Sequence, residues 1–295
     1  MGEINDLKVS CWSDLHLDYG YDGLLALPLP DVDVLIIAGD LAFNSEYQER
    51  ALAYLAQKYQ YVLYVPGNHE YEYKDIHEHR KHLAGLKIPN VYVLDDGFID
   101  IQGVRFIGST LWTDCGNDKH QEILNERIFQ HWKISSDGKP FLAGESTEMH
   151  HRMLDYVGFQ LGEARRAGLQ SVVISHPAPL FSSVHPAYQN SMNNEAFYTD
   201  LRDFIDLHQP AYWFHGHMHH SSRYRRGQSV VVCNPLGNPA NPEHANPKFD
   251  PLLTICIPPL VDDGDADWSA ELQMATPELH DECLAIVSQR LDVEV

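Results

Sequence analysis

Five short runs rich in β-branched and aromatic residues in this chain are each followed at once by side chains able to ligate a metal. Lys8–Trp12 leads into Asp14 and His16, and Val32–Ala38 into Gly39-Asp40. Tyr61–Val65 leads into Gly67-Asn68-His69-Glu70, Ser171–Ser175 into His176, and Ala211–His215 into Gly216-His217-Met218-His219. Such runs read as strands. The polar groups therefore collect at the C-terminal ends of strands, the edge at which open α/β sheets bind ligands. Taken singly the motifs say little: Gly-Asp and Gly-Asn after a strand are ordinary turns, and a lone His176 reads equally as a core histidine. Asp14-x-His16 and His217-x-His219 say more, because alternation along an extended loop turns two side chains to the same side. In this order, and on five strands, they predict one shared site.

Asp14, Asp40, Asn68, His176 and the histidines at 16, 217 and 219 form a mixed nitrogen and oxygen set without thiolate. That chemistry favours two divalent transition-metal ions drawn from Mn, Fe, Zn or Co over copper, iron–sulfur or an all-oxygen calcium site. Seven donors are too many for one tetrahedral ion with an open position, but suit two ions that share a carboxylate. The 18 histidines of the chain agree with a metal protein without locating the site.

The elements that must position these groups follow an α/β alternation. Near-continuous apolar strands such as Val34–Ala38 need cover on both faces, and Ser229–Cys233 and Leu252–Ile257 read as further strands. Ser45 with Gln48 reads as a capping box opening a helix. A longer helix is expected after Ser146, with Met149, Met153, Val157 and Leu161 on one face, and another from about Ala196 through Phe197, Leu201, Phe204 and Ile205. Gln102-Gly103 between Phe98–Ile101 and Val104–Gly108 predicts a hairpin. The stretch 113–144 lacks clean periodicity and reads as an insertion or cap. One domain is expected over 1–260. Residues 261–295 read as an acidic linker and a helix capped at Thr276-Pro277, docked on that domain.

With 295 residues, 44% hydrophobic and 21% charged, the chain has ordinary globular composition. Its net charge of -21 argues against bulk nucleic-acid binding. No apolar run reaches the ~18–20 residues of a membrane span, so no membrane partner is expected. The N-terminus lacks a secretory pattern, and Asp6 stands where a myristoylation signal wants Ser or Thr. Cys11, Cys115, Cys233, Cys256 and Cys283 form no CxxC pair. Three of the five fall in apolar strand-like runs, which predicts reduced, buried thiols and a cytoplasmic protein.

The series D-x-H, G-D, G-N-H-E, H, G-H-x-H over roughly residues 8–257 resembles the calcineurin-like metallophosphoesterase superfamily, in detail its bacterial and phage-type small phosphoesterases. Gly108–Asp114, Ser175–Ser183, Phe214–Ser221 and Val231–Pro239 are similar as well. The resemblance implies a two-sheet αββα sandwich with a dinuclear site at the C-terminal strand edge. It further implies a hydrolase that cleaves phosphomono- or phosphodiesters of small substrates with a two-metal-activated hydroxide. By the same resemblance Asp14, His16 and His219 hold the first ion, Asp40 bridges, and Asn68, His176 and His217 hold the second. His69 then faces the substrate as the catalytic group. Two positions depart from the pattern: Phe43 stands where many relatives carry Asp or Asn, and His176 is followed by Pro177 rather than a second histidine.

Other residues are given bland readings. His220 is the weaker neighbour of His219, and His185 a surface loop residue with a possible reach to substrate. His150 and His151 read as solvated, Trp112 as core, and Asp114 as a residue at the cleft mouth. Arg223, Arg225 and Arg226 read as a solvated loop. No G-x-S-x-G elbow and no G-x-x-x-x-G-K-[ST] loop occurs, which removes serine hydrolase and P-loop readings. The alternatives are a nuclease acting on nucleic-acid ends and a non-catalytic metal-binding scaffold.

Overall fold

The computed structural model describes residues 6–117, 119–238 and 245–258. The helix expected after Thr276, the boundary at 260 and Cys283 lie outside them. The strands are β1 (Leu7–Trp12), β2 (Val34–Ala38), β3 (Tyr61–Val65), β4 (Val91–Val93), β5 (Gly97–Ile101), β6 (Val104–Gly108), β7 (Ser135–Ser136), β8 (Lys139–Pro140), β9 (Gln170–Ile174), β10 (Tyr212–His215), β11 (Ser222–Arg226), β12 (Ser229–Cys233) and β13 (Ile255–Ile257).

Two large sheets carry the architecture, in the orders β13-β1-β2-β3-β4 and β11-β12-β10-β9-β6-β5. Strands β1 to β4 are parallel, as are β6, β9, β10 and β12. An antiparallel strand closes the β1 side of the first sheet and both sides of the second. Strand alternation then sorts the apolar residues. Val34, Ile36 and Ala38 of β2 meet Phe106, Ile174 and Phe214 of the other sheet in a central layer. Leu35 and Ile37 face the opposite way, into a layer with Ala51, Leu52 and Leu55 of the helix Ser45–Ala56. On the far side, Val173 and Trp213 pack under Met149, Met153, Val157 and Leu161 of the helix Ala143–Arg166. The result is the two-sheet αββα sandwich. The apolar strands need it because both their faces must be covered.

Several local expectations are corrected. The helix at 45 is capped by Asn44, whose Oδ1 accepts from the backbone N–H of Glu46 (2.9 Å) and Tyr47 (3.4 Å), while Gln48 reaches back to the Ala42 carbonyl. The long helix begins at Ala143, before Ser146. No helix starts at Ala196: a 3-10 turn covers Met192–Ala196, and the helix covers only Arg202–His208. Between them the backbone runs beside Ala178 and Pro179, with Thr199 N–H donating to Ala178 O and Leu201 N–H to Pro179 O. Strand β11 carries Arg223, Arg225 and Arg226 along the sheet edge, and Arg226 pairs with Asp206. His150 is buried on the long helix, its Nδ1–H donating to the Trp112 carbonyl at 2.5 Å, whereas His151 is exposed. Cys11, Cys115 and Cys233 are buried thiols, but Cys256 is exposed because Ile255 and Ile257 take the inward positions of β13.

The hairpin is present. Gln102 and Gly103 both have positive φ (+47° and +82°), as a tight turn joining twisted strands requires. Replacing the true cap, Asn44→Ala, is expected to cost about 1 kcal/mol, and Ser45→Ala less than about 0.5 kcal/mol. Urea unfolding of the two variants checks this, and the reverse order would restore Ser45 as the cap.

Candidate metal centre

The loops that leave β1, β2, β3, β9 and β10 meet at one edge where the two sheets touch. Asp14, His16, Asp40, His217 and His219 all lie in the left-handed region, with φ of +53°, +43°, +55°, +68° and +49°. A non-glycine residue there costs about 1–3 kcal/mol and persists only when its surroundings fix it. Backbone bonds do so: Asp14 N–H donates to Gly39 O (2.9 Å), His16 N–H to Asp40 O (3.1 Å), and Gly216 N–H to His176 O (3.0 Å). The glycines at 39 and 67 are required by space as well. A Cβ on Gly39 would overlap the His176 ring, and one on Gly67 would overlap the Asp40 carboxylate.

The seven sequence-selected residues converge. Asp14, His16, Asp40 and His219 bring donor atoms within 4.8 Å of one another, and Asp40, His176 and His217 form a second such group. Asp40 belongs to both. His16 Nε2 lies 3.0 Å from His219 Nε2 and 3.9 Å from Asp40 Oδ2, and His219 Nε2 lies 3.3 Å from Asp14 Oδ1. On the other side His176 Nε2 sits 3.1 Å from Asn68 Oδ1 and 3.2 Å from Asp40 Oδ2. Asn68 thereby joins the second group through its amide oxygen.

These atoms fit cations. His176 Nδ1 faces the Ala38 carbonyl at 2.9 Å and must donate to it, so only Nε2 can serve as a ligand atom. Nε2 is turned on two oxygen acceptors. Burial opposes the charged form, but Asp40 outweighs it and raises the imidazole to about 9, so a cation bound there would take the place of the Nε2 proton. Among the described residues Asp40 Oδ2 and His217 Nε2 are buried without any hydrogen-bond partner, a costly state for a carboxylate unless a cation satisfies it. Burial pushes the His16 and His217 imidazoles down to about 3, so both stay neutral and keep a lone pair to give. Burial opposes ionisation of Asp14, but the His219 contact outweighs it and lowers that carboxyl. For Asp40 burial again opposes, and His176 and His69 hold it well below the carboxylate range.

His69 falls outside both groups. Its backbone N–H donates to Asp40 Oδ1 (3.0 Å), its Nδ1 lies 3.1 Å from Glu72 Oε1, and its Nε2 lies 3.8 Å from Asp40 Oδ2. Burial works against its charged form, but Asp40 and Glu72 outweigh it and raise the imidazole to about 10. The ring stays partly open to solvent.

Sequence reasoning gave Glu70 no role, yet it fixes the site. Its fully buried carboxylate accepts from Asp40 N–H (3.1 Å), Leu41 N–H (2.7 Å), Gly67 N–H (2.8 Å) and Tyr64 O–H (2.8 Å). It clamps the ends of β2 and β3 together. The signal was an acid next to two metal-site residues, which reads as a ligand or as solvated until the backbone is placed.

The insertion at 113–144 supplies Trp132, which with Asn68, Thr110, Trp112, His176, Pro177 and His217 lines a recess beside the second group. Phe197 stacks on the His217 ring at 4.7 Å. Nothing in the spacing of Trp132 marked it. Trp112 is both core and recess wall. His185 and His220 stay outside the two groups, their rings 5.0 Å apart, and Asp114 binds Thr199 rather than a site residue.

The sequence of residues 7–221 matches the family model described as calcineurin-like phosphoesterase. An uncharacterized protein of Acanthamoeba polyphaga mimivirus is 28% identical over 282 residues, covering 85% of this chain and 97% of its own length. A UPF0046 protein of Caenorhabditis elegans is 26% identical over 243 residues, 74% of this chain and 68% of that one. The crystal structure of the phosphopantetheinyl hydrolase of Mycobacterium tuberculosis superposes with a TM-score of 0.64 at 16% identity, over 80% of this chain and 91% of that chain, a likeness of fold.

Glu70→Gln places an amide NH₂ among N–H donors. Each buried donor left unpaired costs about 1–3 kcal/mol, and disturbed support of ligands typically costs ~10–100-fold in metal affinity. Glu70→Gln is therefore expected to lower the urea midpoint and to weaken metal binding in chelator competition. Unchanged values for both would remove Glu70 from the clamp.

Proposed function

Because this chain belongs to the calcineurin-like phosphoesterase family, we propose that it hydrolyses small phosphomono- or phosphodiesters with two divalent transition-metal ions. Asp14, His16 and His219 hold one ion, Asn68, His176 and His217 the other, and Asp40 bridges them. One observation carries this reading: a single buried carboxylate belongs to both donor groups, and one of its oxygens has no hydrogen bond among the described residues. Two cations that approach closely need such an anion between them. Membership in the family implies a metal-dependent hydrolase, and among the described residues no helix is long and apolar enough to cross a membrane.

When bound, the ions supply positive charge that activates an attacking water and screens the phosphoryl oxygens. The chain's own residues do the rest. Asp40 and Asp14 orient that charge, and the neutral imidazoles at 16 and 217 supply lone pairs without protons to expel. Phe197 and Trp132 pack on the His217 side and keep water from it. His69, whose Nδ1 lies 3.1 Å from Glu72 Oε1, gives its proton to the leaving oxygen. The catalytic domain is residues 1–260, since all seven proposed ligands lie upstream of the 261–295 tail. The net charge of -21 favours small substrates over nucleic-acid chains. Manganese is the first ion to test, and buried free thiols agree with a cytoplasmic setting.

The test compares an alkyl phosphoester with a nitrophenyl phosphoester in wild type and His69→Ala, with metal content measured alongside. Activity is expected to require added Mn and to vanish with a chelator. A nitrophenolate leaves without a proton and an alkoxide does not. His69→Ala should therefore lower kcat/KM for the alkyl ester by ~10²–10⁴-fold and for the nitrophenyl ester clearly less. Equal losses would end the acid role, and loss of metal would make His69 a ligand. No hydrolysis of either ester by the metal-loaded wild type would leave a scaffold.

A further inference from the structure

The loop after β10 carries two proposed ligands, His217 and His219, and the residue that leads into it is a third histidine. His215 ends β10 on the same face as Trp213, since side chains alternate along a strand. Sequence alone reads it as the last residue of an apolar run. Its ring is fully buried, a costly place for an imidazole unless both nitrogens are bonded.

Both nitrogens are bonded, and each in one sense only. Nδ1 lies 2.9 Å from the Gly216 carbonyl, which can only accept, so Nδ1 carries the proton. A buried imidazole stays neutral, so Nε2 accepts from the Ser183 hydroxyl at 2.9 Å. Ser183 Oγ in turn accepts from Tyr224 O–H at 2.7 Å. Ser183 belongs to the β9 loop that starts with His176, and Tyr224 to β11. The chain of bonds spans three elements and ends on the peptide that leads into His217.

That peptide is strained and held at both ends. The Gly216 carbonyl also accepts from Met218 N–H at 2.8 Å, which closes a three-residue turn around His217 at φ +68°. A turn of this kind at positive φ is rare and strained, and it persists only where its surroundings fix it. At the other end of the peptide, His217 N–H donates to both oxygens of Asp14, at 3.0 and 3.1 Å. The packing leaves no slack, since a Cβ on Gly216 would overlap the Ala38 carbonyl and crowd the Asp14 carboxylate.

We propose that His215 is a positioning residue of the metal centre: its Nδ1–H fixes the Gly216–His217 peptide, so that the peptide N–H aims the Asp14 carboxylate and the strained turn aims the His217 ring. This rests on the reading of Asp14 and His217 as ligands. His215 belongs to neither donor group and acts through the peptide. Without the Nδ1–H bond the peptide is free to rotate out of the strained turn, and the same rotation takes the N–H away from Asp14. A fully bonded polar chain in an apolar layer rigidifies what it touches. Here it touches the one turn that bears on both proposed ions.

His215→Asn and His215→Gln separate this role from packing. An asparagine amide nitrogen can stand where Nδ1 does, and a glutamine one where Nε2 does. Both remove the ring, so both are expected to lower the urea midpoint. Manganese affinity, measured on the full chain against a fluorescent chelator, should divide them. His215→Asn is expected to stay close to wild type, and His215→Gln to fall ~10–100-fold. Equal affinities for the two variants would leave only a packing role and overturn the proposal. Nitrogen NMR of the metal-free wild type gives a second reading that needs no variant to fold: the Nδ1–H tautomer of His215 is expected, and the Nε2–H tautomer overturns the proposal. If wild type binds no manganese, the two-metal reading fails, and hydrogen exchange of the His217 amide decides instead. Faster exchange in His215→Gln than in His215→Asn upholds the fixed peptide, and equal rates overturn it.

Discussion

The site is organised around the burial of one carboxylate, Asp40, at the place where the two sheets meet. Its charge is removed from water, one oxygen accepts the His69 backbone N–H, and the other makes no hydrogen bond among the described residues, with His176 Nε2 3.2 Å away. Such a group is unfavourable unless positive charge comes to it. Much of the surrounding structure serves to hold it there. Glu70 grips the backbone N–H of Asp40 itself, Gly67 leaves room for its carboxylate, and Gly39 leaves room for the His176 ring that faces it. Asp40, with His16 beside it, adopts left-handed backbone that such surroundings have to fix.

The sandwich explains why the donors can converge from distant parts of the chain. The first sheet delivers Asp14, His16, Asp40 and Asn68 from β1, β2 and β3, and the second delivers His176, His217 and His219 from β9 and β10. The sheets are stitched at this edge by polar contacts rather than by the apolar layer. His176 reaches the Ala38 carbonyl, and the His217 N–H bonds both oxygens of Asp14 at 3.0 and 3.1 Å. Ligand placement and sheet packing are thus the same constraint, and a change that shifts one sheet against the other would pull the two donor groups apart.

The apolar strands and the seven candidate donors were legible in the sequence because both rest on local pattern: apolar runs of the right length, each with a polar residue at its end. Strands β4 and β11 were not, the one only three residues long and the other an arginine-bearing edge strand. Glu70 was not legible, because its partners are backbone N–H groups of residues 40, 41 and 67, and sequence does not say which backbone groups will lack partners. His150 was misplaced because the helix Ala143–Arg166 is covered on a wider face than one stripe of methionines suggests, with the Trp112 loop packed over it. The apolar spacing from Phe197 to Ile205 is a genuine helical period. Its first half nevertheless runs extended, because the carbonyls of Ala178 and Pro179 capture the N–H groups of Thr199 and Leu201. Trp132 carries no spacing signal of its own, and only the fold puts it beside the donors.

The most direct test of this account is the number of metal ions bound by wild type and by Asp40→Asn, each loaded with Mn, freed of excess ion and analysed for metal per chain alongside phosphoester hydrolysis. An amide in place of the shared carboxylate cannot compensate two dications, so wild type is expected to hold two ions, and Asp40→Asn to hold one or none and to lose hydrolysis. Two ions retained by Asp40→Asn with full activity would contradict the bridging role of Asp40, and with it the two-metal centre built around it.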